Sequence, residues 1–231
     1  LPESVVQDAK GDIYVSEIGE FNKDGDGKIT RISIDGKLST FASGMDDPKG
    51  LTFIGKSLYV TDKNRVLKVE PNGKWTVFGS TMAFPQTPVF LNDITSDEAG
   101  NLYVSDSGNL KSGGAIFKIT SDKKITLVLN ENTPEILAPN GLWIIKNDLY
   151  EVDFSSGILY KVNLKTKSNN GSLGTGTYKY KISFYNTENL TESLPSKEVS
   201  INTNLNDSVF INELPQIYDT QKYNSWKIYR T

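Results

Sequence analysis

Residues 22 to 30 of this 231-residue chain read NKDGDGKIT, and Asn22, Asp24 and Asp26 there place side-chain oxygens at alternate positions ahead of Gly27. Such spacing gathers oxygens round a hard cation such as Ca2+, with the glycine letting the chain double back. The position that would supply a bidentate Glu is Ser33, and the flanks GDIYVSEIG and KITRISIDG alternate as strands do. The segment is therefore a loop between two strands and not a helix-flanked calcium motif. Two readings stay open for it. One is a calcium site completed by Glu17, Glu20 or a backbone carbonyl; the other is a solvated turn in which Asp and Gly serve the backbone angles.

The rest of the composition narrows the chemistry. Histidine and cysteine are both absent, which removes Ser-His-Asp and Cys-His relays, thiolate or imidazole metal sites, and disulfides. Reactions must run on carboxylates, lysines, hydroxyls or a metal held by oxygen. A formal net charge of −3 offers no positive field for nucleic acid or an acidic membrane. No apolar run approaches the roughly 18 residues of a membrane helix, and no signal peptide opens the chain. The first residue is Leu1, so the chain reads as processed or as a piece of something longer.

The elements that must position any site repeat at a period of about 45 residues, which is that of propeller blades. GDIYVSE (11 to 17), KSLYVTD (56 to 62), GNLYVSD (100 to 106) and NDLYEVD (147 to 153) align. Each follows a short apolar stretch after a turn (LPESVV, DPKGLTFI, FLNDITS, APNGLWII), and each precedes a second alternating strand (KITRISI, RVLKVEP, AIFKITS, ILYKVNL). The first three units add KLSTFAS, KWTVFGS or KITLVLN. Three or four short strands joined by Gly, Asp and Asn turns make a blade of antiparallel sheet. Asp62, Asp106 and Asp153 close the repeated strand, and recurrence in every unit assigns them a structural role. Tyr14, Tyr59, Tyr103 and Tyr150 recur in phase and belong to the sheets. After Lys167 the pattern stops. SNNGSLGTG is linker-like, and TYKYKISFYN, SKEVSIN, SVFINEL and SWKIYR suit a small β-sandwich. The expected division is a propeller over 1–167, a linker over 168–176 and a module over 177–231.

On the repeated LYVSD-like strand, the FASG phrase at 41 to 44 and the turns LPES, LNDI and APNGL, residues 1 to 167 resemble the gluconolactonase and regucalcin type of β-propeller, a relative of NHL-repeat propellers. That resemblance implies six blades round a channel and a divalent cation at one mouth. It makes Glu3 and Asn140 metal ligands, places Asn92 near metal and substrate, and implies a further Asp, also the catalytic base, from the turn opening a fifth blade. KTKSNNGSLG stands where that turn is due. GSLGTGTYKYKISFYN, TESLPSKEVSI and WKIYRT resemble the Ig-like or fibronectin-like modules of bacteriophage tail and virion proteins, here with a hairpin fewer and an open edge.

These readings give an all-β chain: four blade repeats, a whole propeller or part of one, then a small Ig-like sandwich. The leading expectation is a non-catalytic binding protein of a phage tail or extracellular surface apparatus. Its propeller would present a binding face, and its open edges would be covered by other chains or by copies of itself. The expected sites are Asn92 and Asp93 for a sugar-like ligand, and Glu3, Asn140, Asn22, Asp24 and Asp26 for Ca2+; no nucleic acid or membrane partner is expected. Turn chemistry is the competing explanation for Glu3, Asn92, Asp93 and Asn140. The alternative function is a divalent-metal-dependent lactone hydrolase of the gluconolactonase type.

Overall fold

Eighteen β-strands account for nearly all the regular structure in the computed structural model, which describes residues 1–21, 23–130, 136–164, 175–203 and 222–231. Asn22 lies outside them. The chain divides into two compact units, Leu1–Leu164 and Lys165–Thr231.

The first unit holds four antiparallel sheets in chain order. β1 (Pro2–Gln7), β2 (Ile13–Glu17), β3 (Gly27–Ile32) and β4 (Leu38–Met45) form the first, and β5 (Pro48–Ile54), β6 (Ser57–Asp62), β7 (Arg65–Val69) and β8 (Trp75–Gly79) the second. After a 3₁₀ turn at Thr81–Ala83 come β9 (Leu91–Ser96), β10 (Leu102–Asp106), β11 (Ala115–Ile119) and β12 (Ile125–Asn130), then the three-stranded fourth sheet of β13 (Pro139–Ile145), β14 (Asp148–Asp153) and β15 (Leu159–Asn163). Strand order within each sheet follows the chain. The first strands of successive sheets lie side by side, β1 against β5, β5 against β9 and β9 against β13. This is the arrangement of propeller blades, with β1, β5, β9 and β13 as the inner strands.

Each sheet has a front face toward the next sheet and a rear face toward the one before. Because strand side chains alternate, the letters L-Y-V-S-D of β10 send Tyr103 and Ser105 forward and Leu102, Val104 and Asp106 to the rear. Tyr14 on the first sheet's front accordingly meets Phe53 on the second sheet's rear, ring edge to ring face with centroids 5.1 Å apart. Tyr14, Ile29, Leu51, Leu58 and Val60 make one core, Tyr59, Val66, Ile94, Leu102 and Val104 the next, and Tyr103, Ile116, Leu142 and Leu149 the third. A basic residue pairs across from each tyrosine, namely Arg31, Lys68, Lys118 and Lys161.

The terminal aspartates tie the second, third and fourth sheets to their own entry turns. Asp62 Oδ1 accepts the N–H groups of Asp46 and Asp47 at 2.9 and 2.8 Å. Asp106 accepts those of Val89, Phe90 and Gly108 at 3.0, 2.7 and 3.1 Å, and Asp153 those of Leu137, Ala138, Ser155 and Ser156. A short carboxylate is suited to this work because these N–H groups lie in the turns that flank the strands and lack ladder partners. Hydroxyls then link neighbouring sheets: Thr61 Oγ1 donates to the Asn92 carbonyl at 2.5 Å and Ser105 Oγ to the Asn140 carbonyl at 2.7 Å.

In the second unit β16 (Gly176–Tyr185) pairs with β17 (Val199–Thr203) on one side and β18 (Ser225–Arg230) on the other, all antiparallel. The described residues of this unit form that one three-stranded sheet; a second sheet, and with it the Ig-like sandwich, is not seen among them, and SVFINEL lies outside them. Glu192 binds Ser183, Tyr229 and Lys227, which together hold its carboxyl down at about 2.

Candidate functional site

The sheet registers place four polar residues at one height round the inner strands. Pro2 pairs with Glu17, Pro48 with Asp62, Leu91 with Asp106 and Pro139 with Asp153, so the next residues, Glu3, Lys49, Asn92 and Asn140, occupy equivalent positions. All four follow the entry turns, at the mouth end of the inner strands. Three of them are the sequence-derived residues. The fourth, Lys49, was missed, although DPKGL aligns with LPES, LNDI and APNGL and sets a lysine where the others carry Glu or Asn.

Lys49 is 2% exposed. Its ammonium donates to the Asp47 carbonyl at 3.1 Å, sits 4.5 Å from the centre of the Phe90 ring, and makes no ion pair among the described residues. Burial lowers its pKa, while the charges of Asp47, Glu3 and Asp62 resist that. The mouth therefore has a buried amine set into its wall.

Asp93, one residue past Asn92, is held from two sides. Its Oδ1 accepts the Ile94 N–H at 2.8 Å and its Oδ2 the Leu142 N–H of the next inner strand at 2.7 Å, while its own N–H binds Ser105 Oγ at 2.8 Å. Burial raises its pKa to about 6; the two N–H donors pull it down and the charge of Glu3 pushes it up. Gly50 passes directly over it, where an added Cβ would stand 2.6 Å from the Asp93 Cα. Asn92 gives its side-chain N–H to Ser107 Oγ at 3.1 Å, and Ser107 continues to the Pro139 carbonyl at 2.7 Å. Glu3 is exposed, with Ser4 Oγ donating to its Oε2 at 2.5 Å. The structure thus brings Glu3 within electrostatic reach of both Lys49 and Asp93, and joins Asn92 and Asp93 to the strand that carries Asn140.

Glu151 is a second residue missed. In LYEVD the last polar and apolar letters are exchanged relative to LYVSD, which moves the polar side chain to the buried rear face and a valine to the front. Glu151 takes the place of Val60 and Val104, fully buried, and neither carboxyl oxygen makes a well-formed hydrogen bond. Burial, then the charge of Asp153, raise it to about 8 against the weak opposition of the Asn140 N–H.

The NKDGDGKIT loop lies against the entry turn of the second sheet, where the Gly25 N–H donates to Asp46 Oδ1 at 3.1 Å. Asp24 pairs with Lys63 at 2.7 Å; Asp26 Oδ2 accepts the Glu20 N–H at 3.1 Å and faces Lys23 at 3.5 Å. Among the described residues no three acidic side chains gather as a metal site. At the mouth a divalent cation would find Glu3 and Asn140 as oxygen donors with the Lys49 ammonium between them in the sequence of sheets. Calcium takes six to eight oxygens; Glu3, Asn140 and Asn92, which stands at the same height, are the side chains here that would hold it.

No model of a known family matches the sequence, and no curated protein does. Solved structures do match in fold. A luciferin-regenerating enzyme is 17% identical with a TM-score of 0.56, the calcium-binding protein regucalcin from Agrobacterium tumefaciens 16% with 0.54, and a gluconolactonase from Xanthomonas campestris 15% with 0.51. Each covers 70% of this chain, which spans 61, 60 and 56% of theirs. At such identities the likeness establishes the fold, a β-propeller of the gluconolactonase and regucalcin type. It also corrects the expectation of a non-catalytic structural protein: a gluconolactonase and a luciferin-regenerating enzyme share the architecture, which favours the lactone-hydrolase alternative. That expectation looked for a catalytic carboxylate only in a fifth blade and assigned Asp93 to ligand binding.

Proposed function

We propose that the first unit is a hydrolase of lactones or related cyclic esters, acting at the mouth formed by Glu3, Lys49, Asn92, Asp93 and Asn140. The observation that carries this is Asp93, a carboxylate clamped by two backbone N–H groups with a pKa of about 6. A base with a pKa close to the working pH is mostly ionised yet still accepts a proton usefully in the transition state. Asp93 takes the proton from water as the water attacks the ester carbonyl; the tetrahedral intermediate collapses by breaking the ring C–O bond, and the proton passes to the leaving alkoxide. Lys49 does not touch substrate. Its charge stabilises the negative oxygen that forms above it, as a preorganised positive potential does. Asn92 and Asn140, at equivalent positions on adjacent inner strands, are placed to hold the hydroxyls of a sugar-derived ring. The fold likeness to a gluconolactonase supports the choice of substrate class.

The test is turnover of an aldonolactone by the full chain. Hydrolysis well above the spontaneous rate, reduced about 100-fold in Asp93→Asn, is the expected result. Failure to turn over lactones of several ring sizes would overturn the reading.

A further inference from the structure

The connections that lead into the inner strands form the rim above the polar residues of the mouth, and the one entering the third sheet has its own character. Asp46 and Asp47 alone join the first sheet to the second, and Asp46 is held by Arg65 and the Gly25 N–H. Residues 80–90, STMAFPQTPVF, join the second sheet to the third and carry no charge. This stretch is pinned along its length. Thr81 Oγ1 donates to the Asn64 carbonyl at 3.0 Å, the Phe84 ring meets Phe117 edge to face with centroids 4.9 Å apart, and Asp106 holds the Val89 and Phe90 N–H groups.

On this fixed base, apolar side chains are left in the open. Val89, which the register places level with Asp46, is 63% exposed, and Met82 is 94% exposed at the outer end of the same stretch. Phe90 is half-buried over Lys49, and its carbonyl accepts the N–H of Ser107, where the β10–β11 hairpin begins, at 2.9 Å. In that hairpin Leu110 is 42% exposed with φ +68°. A left-handed position costs leucine more than it costs glycine or asparagine, so an exposed apolar side chain stands there against the backbone preference. The second and third sheets have neighbours on both sides within the chain; the exposure of Val89 and Leu110 therefore belongs to the mouth end and not to an uncovered sheet face.

Single exposed apolar residues need no explanation, but a run of them adjoining a site does. Small-molecule sites combine a few placed polar groups with an apolar surround; Asn92, Asp93 and Asn140 supply the first here, and Val89, Phe90 and Leu110 the second. We propose that the lactone substrate carries an apolar substituent, an alkyl chain or aryl ring, which lies on Val89, Phe90 and Leu110 while the ester is held at Asn92 and Asp93. Met82 continues the apolar line outward for longer chains. This inference rests on the hydrolase reading and narrows its substrate. A chain covered on one side gains about half of what a fully buried methylene gains, which amounts to about 2-fold in affinity per methylene.

The test is kcat/KM of the full chain for γ-butyrolactones bearing γ-alkyl groups from methyl to hexyl. The wild type is expected to gain about 2-fold per added methylene, and the double variant Val89→Ser, Leu110→Asn to lose most of that gain, with circular dichroism showing that it folds. Calorimetric binding of the matching γ-lactams should tighten with chain length in the wild type by the same factor, independently of turnover. Turnover indifferent to chain length, or a slope that the double variant leaves unchanged, would overturn this inference and leave the hydrolase reading standing; no turnover of any lactone would overturn both.

Discussion

Replacing Glu151 by glutamine isolates the cost of one buried carboxyl. The unfolded chain releases this proton near the ordinary value of 4.5, whereas the folded chain keeps it until about 8. Between those values the folded state binds more protons than the unfolded, so stability falls as pH rises through the window and levels off above it. A displacement from 4.5 to about 8, at about 1.4 kcal/mol per pH unit, amounts to roughly 5 kcal/mol across the window, more than half of it already lost at pH 7. Glutamine keeps the shape and cannot titrate. Urea unfolding of the wild type and Glu151→Gln at pH 5, 7 and 9 therefore gives a stability difference that widens with pH in favour of the variant, while Asp93 and other titrating groups cancel. Glu151→Val, which restores the residue of the equivalent positions, gains at least as much at pH 9. A difference between Glu151→Gln and the wild type that stays within about 1 kcal/mol from pH 5 to 9 would refute the reasoning.

Three further outcomes follow from the same geometry. Asp106→Ala leaves the N–H groups of Val89, Phe90 and Gly108 without their acceptor, at ~1 kcal/mol or more each, so urea unfolding should show a loss of roughly 3 to 5 kcal/mol. Lys49→Met removes a charge that acts through the mouth and should lower kcat about 10-fold with little change in KM, and thermal unfolding should show stability unchanged or raised because a buried ammonium has gone. Addition of 1 mM Ca2+ should leave the contribution of the NKDGDGKIT loop to the melting temperature unchanged, since Asp24 and Asp26 Oδ2 are engaged by Lys63, Lys23 and the Glu20 N–H; a calcium-dependent rise in melting temperature that Asp24→Ala abolishes would contradict this.

Much of the scaffold was legible because each sheet must solve the same problems with the same letters. The tyrosine that fills the gap to the next sheet and the aspartate that holds the entry turn recur in phase, so periodicity exposed both. What did not recur was harder to see. Lys49 breaks the series Glu, Asn, Asn at the mouth, and its importance depends on burial and on Phe90, which lies 41 residues along the chain. The exchange of polar and apolar letters in LYEVD is visible in the sequence, yet its consequence needs the knowledge of which face is covered. Asp24 reads as a metal ligand until Lys63 is brought across to it, and Asp93 reads as a ligand-binding or turn residue until Leu142 supplies the second N–H.

The pH dependence of kcat/KM for aldonolactone hydrolysis tests the central claim most directly. With Asp93 as the base, the wild-type rate rises with pH through an inflection near 6 and then levels, and Asp93→Asn gives a rate about 100-fold lower without that inflection. A wild-type profile that is flat between pH 5 and 8, or one that survives unchanged in Asp93→Asn, would contradict the account.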